Sequence, residues 1–127
     1  MGKLILIVDD EPVIRHLLQC LLQLDGFQVD EARDGVEALG KVDAQCPDLI
    51  LMDYMMPNMD GITAVKKLRN QPQTANVPII MLTANVQPAI EERSVEAGVN
   101  CFLDKNENIT GTLTQHIHEV LASSAAA

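Results

Sequence analysis

The sequence predicts an α/β protein with a doubly wound parallel sheet of five strands, flanked by five helices and folded as a single domain. Three observations carry this. Short apolar runs alternate five times with segments whose apolar residues recur every three or four positions. The runs at 4–8 and 49–52 contain no polar residue, as suits strands covered on both faces. Breakers such as Asp25-Gly26, Pro47 and Gly98 fall between the runs and the periodic segments.

In chain order, Leu4–Val8 reads as a central strand, and Pro12 suits the first turn of the helix that follows. Ile14, Leu17, Leu18, Leu21 and Leu24 give that helix its apolar spacing, and Gly26 stops it. Residues 27–32 form a second strand, nearer an edge because Gln28, Asp30 and Glu31 interrupt it. Asp34 and Glu37 have the spacing of a capping box for a helix through Val36, Leu39 and Val42. After the third strand, Leu49–Met52, a loop ending in Asp60-Gly61 leads to a helix carrying Ile62, Val65 and Leu68. A fourth strand at 77–82, a helix from Pro88 stopped by Gly98, and a short fifth strand at 99–103 follow. The last helix carries Ile109, Leu113, Ile117, Val120 and Leu121. The domain is expected over residues 1–122, with 123–127 an unstructured tail.

The net charge of -9 opposes direct nucleic-acid binding and binding to an anionic membrane surface. No apolar stretch reaches membrane-spanning length, and the five apolar residues after Lys3 are too few for a signal peptide, which points to the cytoplasm. Cys20, Cys46 and Cys101 form no C-x-x-C pair and read as packing thiols. His16, His116 and His118 lie on helices and read as surface or partly buried residues.

The chemistry gathers where strands end. Four ends present, in order, Asp9 with Asp10, Asp53, Thr83 and Lys105, and ligands of open parallel sheets collect at such ends. Taken singly, each has an ordinary role as a cap, a turn residue or a solvated charge. Taken together, three converging carboxylates would repel by roughly 4 kcal/mol per close pair at an effective dielectric near 20, so a cation belongs among them. Oxygen ligands without Cys or His favour Mg²⁺ over zinc. A carboxylate nucleophile beside a metal, a hydroxyl and an ammonium is what phosphoryl transfer to an aspartate requires.

These residues, with the block Met52-Asp53-x-x-Met56-Pro57-x-Met59-Asp60-Gly61 and Thr83-Ala84, resemble the receiver domain of two-component response regulators from Lys3 to Leu121. The resemblance implies a flavodoxin-like sheet in the strand order 2-1-3-4-5. It implies Asp53 as the phosphoacceptor, taking the group from a phosphohistidine on a sensor histidine kinase or phosphotransfer protein. It further implies Mg²⁺ held by Asp10, Asp53 and the backbone carbonyl of Met55, with Asp9 acting through water. Thr83 and Lys105 would contact the phosphoryl group, and Thr83 and Phe102 would form the switch. The output face is then the fourth helix, fifth strand and fifth helix, at about residues 87–121, which would engage a downstream protein target. A phosphorylation-linked homodimer is a further association of this kind. No direct contact with nucleic acid and no membrane insertion are expected. The chain would be no enzyme on an external substrate, but would take part in its own phosphotransfer and autodephosphorylation.

Two departures stand out. Asn106 follows Lys105 where the family usually has a cis proline, and a non-proline cis bond costs about 2.5 to 4 kcal/mol, so the sequence leaves the geometry of this peptide, and with it the placement of Lys105, open between cis and trans. Met55 and Asn85 occupy the positions that tune dephosphorylation in the family, and Met55 cannot orient water by hydrogen bonding. A Mg²⁺-dependent aspartyl-phosphate phosphatase of haloacid-dehalogenase type is the enzymatic rival, but the sequence has no Asp-x-Asp on its first strand and no residues for a cap. A flavodoxin-type binding module lacks its phosphate loop here. A receiver-like scaffold that is never phosphorylated keeps the fold and drops the chemistry.

Overall fold

The computed structural model describes residues 2–108 and 111–126. Its strands are β1 (Leu4–Val8), β2 (Gln28–Ala32), β3 (Leu49–Met52), β4 (Ile79–Thr83) and β5 (Cys101–Asp104). They alternate with helices α1 (Pro12–Leu24), α2 (Gly35–Ala44), α3 (Gly61–Arg69) and α4 (Pro88–Ala97), and after β5 come the short α5 (Lys105–Asn108) and α6 (Leu113–Ala126). All neighbouring strands are parallel, in the order β2-β1-β3-β4-β5. Every residue of β3 and β4 is buried, because these strands have neighbours on both sides and helices on both faces. The edge strand β2 buries only Ala32 fully.

Alternation along the strands splits the core into two layers. Leu6, Val8, Ile50, Met52, Ile79 and Met81 face Ala38, Val42, Val65, Leu68 and Ile90 from α2, α3 and α4. Ile5, Ile7, Leu49, Leu51, Ile80 and Leu82 face Leu18, Leu22, Leu113 and Ile117 from α1 and α6. A one-residue slip of any inner strand would exchange its contacts between the layers, and this fixes the register at which the strand ends meet.

The structure differs from the sequence expectation at several places. There are six helices among the described residues rather than five, because Lys105–Asn108 forms a turn of its own. Helix α6 continues through Ser123 and Ser124 to Ala126, where the sequence suggested an unstructured tail. That stretch holds no glycine or proline, and alanine is the best helix former. Ile109 and Ala127 lie outside the described residues. On α1 the buried pair is Leu18 and Leu22, whereas Leu17 and Leu24, expected in the core stripe, face outward. Cys20 and Cys46 are exposed and only Cys101 is partly buried, so two of the three thiols do not pack in the core.

Two polar anchors hold the loops in place. Asp34 caps α2 by accepting the Glu37 N–H at 2.8 Å, while the Glu37 carboxylate reaches past the cap to the N–H of Arg33 at 2.9 Å. The other Asp34 oxygen accepts from the amide of Asn58 at 2.8 Å, and Asn58 is the one non-glycine residue with positive φ among the described residues, at 68°. The Glu37 N–H, then the Asn58 amide, hold the Asp34 carboxyl below its ordinary pKa. The loop between β3 and α3 is thereby tied to the end of α2. At the opposite end of the sheet, Arg69 gathers the carbonyls of Thr74, Ala75, Val77 and Gly98 and the side-chain oxygen of Asn100.

Candidate functional site

The sheet ladder runs one residue beyond β1 and β3. The Asp9 N–H donates to the Ala32 carbonyl at 3.1 Å and the Asp53 N–H to the Val8 carbonyl at 2.9 Å. Parallel register therefore brings the two acids side by side above the carboxyl ends of the strands. The chain leaves β1 in a tight turn, in which Asp9 accepts the Glu11 N–H at 2.9 Å and Pro12 starts α1. Arg15 reaches back to donate to the Asp9 carbonyl at 2.7 Å. The turn places Asp10 on the exposed rim, while Asp9 and Asp53 are buried.

The loop after Asp53 closes on itself just as tightly. The Gly61 N–H donates to the Tyr54 carbonyl at 2.7 Å, and a β-carbon on Gly61 would run into the carbonyl of Asp53. Glycine is needed here for close approach of backbone to backbone, not for an unusual φ. Asp60 then caps α3 by accepting the Thr63 N–H at 2.9 Å.

Lys105 opens α5 with its ammonium buried in the site. Its Nζ lies 2.6 Å from Asp9 Oδ2 and 3.0 Å from Asp53 Oδ2, with Glu11 Oε1 at 3.7 Å. The Lys105–Asn106 peptide is trans, and the lysine reaches the acids without a cis bond. Asn106 instead donates its N–H to the Asp104 carboxylate at 2.9 Å, which starts the short helix. Thr83 closes the fourth side. It is buried at the end of β4, paired in register with Asp104, and its Oγ1 accepts the Asn85 N–H at 3.2 Å.

Burial, foremost, pushes the Asp53 carboxyl above its ordinary pKa of 3.8. The charge of Asp9 adds to this, and the charge and hydrogen bond of Lys105 pull against it. Burial is also the largest single influence on Lys105 and draws its pKa down, but the hydrogen bonds and charges of Asp9 and Asp53 together outweigh it and leave the ammonium above the ordinary value. The site thus holds more negative charge than one lysine can compensate. Asp9, Asp10, Glu11 and Asp53 offer carboxylate oxygens that all lie within 4.8 Å of one another. Glu11 is the member that sequence reasoning missed; the signal was three consecutive acids before Pro12, with only the first two taken as ligands. The set holds hard oxygen donors without thiol or imidazole, and its two exposed members leave room for water, so the residues fit Mg²⁺.

A cleft of about 680 Å³ opens above this group, lined by Asp10, Glu11, Asp53, Thr83 and Lys105, with Met55 and residues 84–87 on its far wall. Met55 is largely exposed there. Phe102 is half-buried, aligned with Met81 in the adjacent strand and packed on the layer that includes Ile90 of α4. The histidines stay outside: His16 and His118 are exposed, His116 is half-buried, and none lines the cleft.

The chain is similar to known proteins over most of its length. The chain is 44% identical over 118 residues to sensor protein EvgS of Escherichia coli, a match covering 91% of this chain and 10% of that protein. It is 43% identical over 105 residues to the alkaline phosphatase synthesis transcriptional regulatory protein PhoP of Bacillus subtilis, covering 83% of this chain and 43% of the relative. This chain therefore spans about a tenth of one relative and under half of the other. The chemotaxis response regulator CheY4 of Vibrio cholerae superposes with a TM-score of 0.87 at 35% identity, covering 94% of this chain and 99% of that one. The receiver domain of the sensor histidine kinase PA1611 of Pseudomonas aeruginosa, solved with magnesium in its active-site cleft, gives 0.87 at 33%, covering 96% and 99%. A family profile described as the response regulator receiver domain matches residues 5–118, nearly the whole folded unit, and the chain belongs to that family.

Proposed function

We propose that this chain is a phosphorylation-dependent switch in which Asp53 accepts a phosphoryl group from a phosphohistidine of a sensor kinase or phosphotransfer protein. The observation that carries the reading is the buried Lys105 ammonium bridging Asp9 and Asp53 at three strand ends. In the transfer an Asp53 oxygen forms a bond to phosphorus as the phosphorus–nitrogen bond breaks, and the departing imidazole nitrogen takes a proton from water. Lys105 moves its ammonium from the Asp53 carboxylate to a phosphoryl oxygen. Thr83 accepts from Asn85, which leaves its own hydroxyl proton free to donate to a second oxygen. Asp10, Asp53 and the Met55 carbonyl would hold Mg²⁺, with Asp9 acting through water and Glu11 at the rim; bound there, the metal neutralises charge on the transferring group.

The phosphoryl group adds about -1.5 to -2 charge beside Thr83. Drawing Thr83 inward opens space along β4 and β5, and Phe102, only half-buried, can turn to fill it. The surface of α4, β5 and α6 would change with it and would be the face presented to a downstream protein, or to a second copy in a phosphorylation-linked dimer.

Incubation with acetyl phosphate and Mg²⁺, followed by intact-mass measurement, is expected to add one phosphate to the wild type and none to Asp53→Asn. A wild type left unmodified beside a control receiver that reacts would overturn the switch and favour a scaffold that is never phosphorylated. The exposed Met55 side chain gives no hydrogen bond to an attacking water, so the adduct is expected to be long-lived. Met55→Asn should shorten its lifetime several-fold in the same mass assay, and an unchanged decay would count against that role.

A further inference from the structure

The loop from Asp53 to Gly61 is closed twice. At its base the Gly61 N–H donates to the Tyr54 carbonyl, and at its tip the Met59 N–H donates to the Pro57 carbonyl, each at 2.7 Å. The bond at the tip spans only three residues, with Asn58 in the middle at φ 68°. A three-residue turn around a positive φ is a rare and strained conformation for a residue with a β-carbon, and such strain persists only where the surroundings enforce it.

Two contacts with the start of α2 enforce it here. The Asn58 amide donates to one oxygen of the buried Asp34 carboxylate at 2.8 Å, while the Glu37 N–H fixes the other oxygen at 2.8 Å. Gly35, next in the chain, has no side chain to push Met59 away; a β-carbon there would come within 3.0 Å of the Met59 Cγ and Sδ. The tip of the loop is thus seated on a helix end that is itself capped. What lies between the two closures is Met55, on the wall of the acid cleft. Among the described residues nothing donates to the Met55 carbonyl, so the path of the loop sets its direction.

We propose that Asn58 and Asp34 are positioning residues for the metal: their side-chain bond holds the tip of the loop and thereby aims the Met55 carbonyl at the cation. The proposal rests on the reading of Met55 as a Mg²⁺ ligand. Neither Asn58 nor Asp34 lines the cleft, so both act through the backbone between them and the site. Groups that hold a ligand from behind in this way govern metal affinity nearly as strongly as the ligands do. Asp34 carries two duties on two oxygens, the α2 cap and the tie to Asn58, and substitution can separate them.

An NMR titration with MgCl₂, following the backbone amides of Tyr54 and Met55, gives the Mg²⁺ Kd without any phosphorylation. Asn58→Gly keeps the positive φ and removes the amide. Asp34→Ser keeps an oxygen for the Glu37 N–H, and so the cap, but leaves none for Asn58. Each should weaken Mg²⁺ binding about tenfold. The double variant should bind no more weakly than either single one, because both cut the same bond. Arg69→Met, a change at the opposite end of the sheet, should leave the Kd as it is in the wild type. The same spectra confirm that each variant is folded. An unchanged Kd in either single variant, losses that multiply in the double variant, or an equal loss in Arg69→Met would overturn the positioning role while the metal assignment stands. A wild type that binds no Mg²⁺ would overturn the Met55 reading and this proposal together.

Discussion

Lys105→Met is expected to lower unfolding stability by about 3 kcal/mol in the presence of EDTA, while Asp53→Asn leaves it unchanged or raises it. The opposite signs follow from the same three side chains. Lys105 is the cation the structure sets between the buried carboxylates of Asp9 and Asp53, and methionine keeps its length while removing the charge. Two buried acids would then stand side by side without a counterion, and breaking a buried pair from one side costs about 3 to 5 kcal/mol. Asp53→Asn instead relieves crowding, because Lys105 keeps Asp9 as its partner at 2.6 Å.

The pH dependence has a definite sign. A carboxyl whose pKa is raised on folding gives stability that is present below its unfolded value of 3.8 and lost as pH rises through the folded value. The ionised Asp53 is thus a burden at neutral pH, and asparagine removes it. The difference between Asp53→Asn and wild type should therefore shrink as pH falls toward 3.8. Denaturant unfolding at pH 7 and pH 5 reads both effects. A neutral Lys105→Met, or an Asp53→Asn clearly less stable than wild type at pH 7, would refute this account of the site.

Arg69→Met should cost about 3 kcal/mol without touching phosphorylation chemistry, and Arg69→Lys should recover little of it. The guanidinium donates to Val77 at 2.6 Å, Thr74 at 3.1 Å and Ala75 at 3.3 Å through one nitrogen, to Gly98 through two others at 3.0 and 2.8 Å, and to Asn100 at 3.0 Å. It joins the end of α3 to the entry of β4 and the left-handed cap of α4. Burial draws its pKa down, and its partners are carbonyls and an amide, so the bonding is directional rather than ionic. Removing the fork leaves several half-buried acceptors without a donor, and an ammonium cannot match a planar group that points three ways. Thermal or urea unfolding measures the loss. A change below about 1 kcal/mol would mean that water replaces the fork at no cost.

How much was legible beforehand depended on the range of the interaction. β1, β3 and α4 were readable because each is set by local pattern: a bare apolar run in the strands, and Pro88 and Gly98 as punctuation at either end of the helix. α1 was half read. Its two apolar sides cannot be ranked by periodicity, and only docking on the sheet decides that Leu18 and Leu22 go in while Leu17 and Leu24 stay out. Glu11 was passed over for a related reason: its place in the acid group comes from the turn made by Asp9, not from spacing along a strand.

By itself the sequence determined the layered α/β architecture and the order in which Asp9, Asp53, Thr83 and Lys105 stand at the strand ends. Those are consequences of two short-range rules: side chains alternate along a strand, and polar residues collect where an apolar run stops. Tertiary structure alone decided that Lys105 is buried between Asp9 and Asp53 over a trans peptide, that Asn58 ties the loop to Asp34, and that Arg69 closes the far end of the sheet. Each of these is a contact between segments far apart in the chain. Its energy depends on burial and on angles that exist only after the strands have found their register, so no local pattern records it.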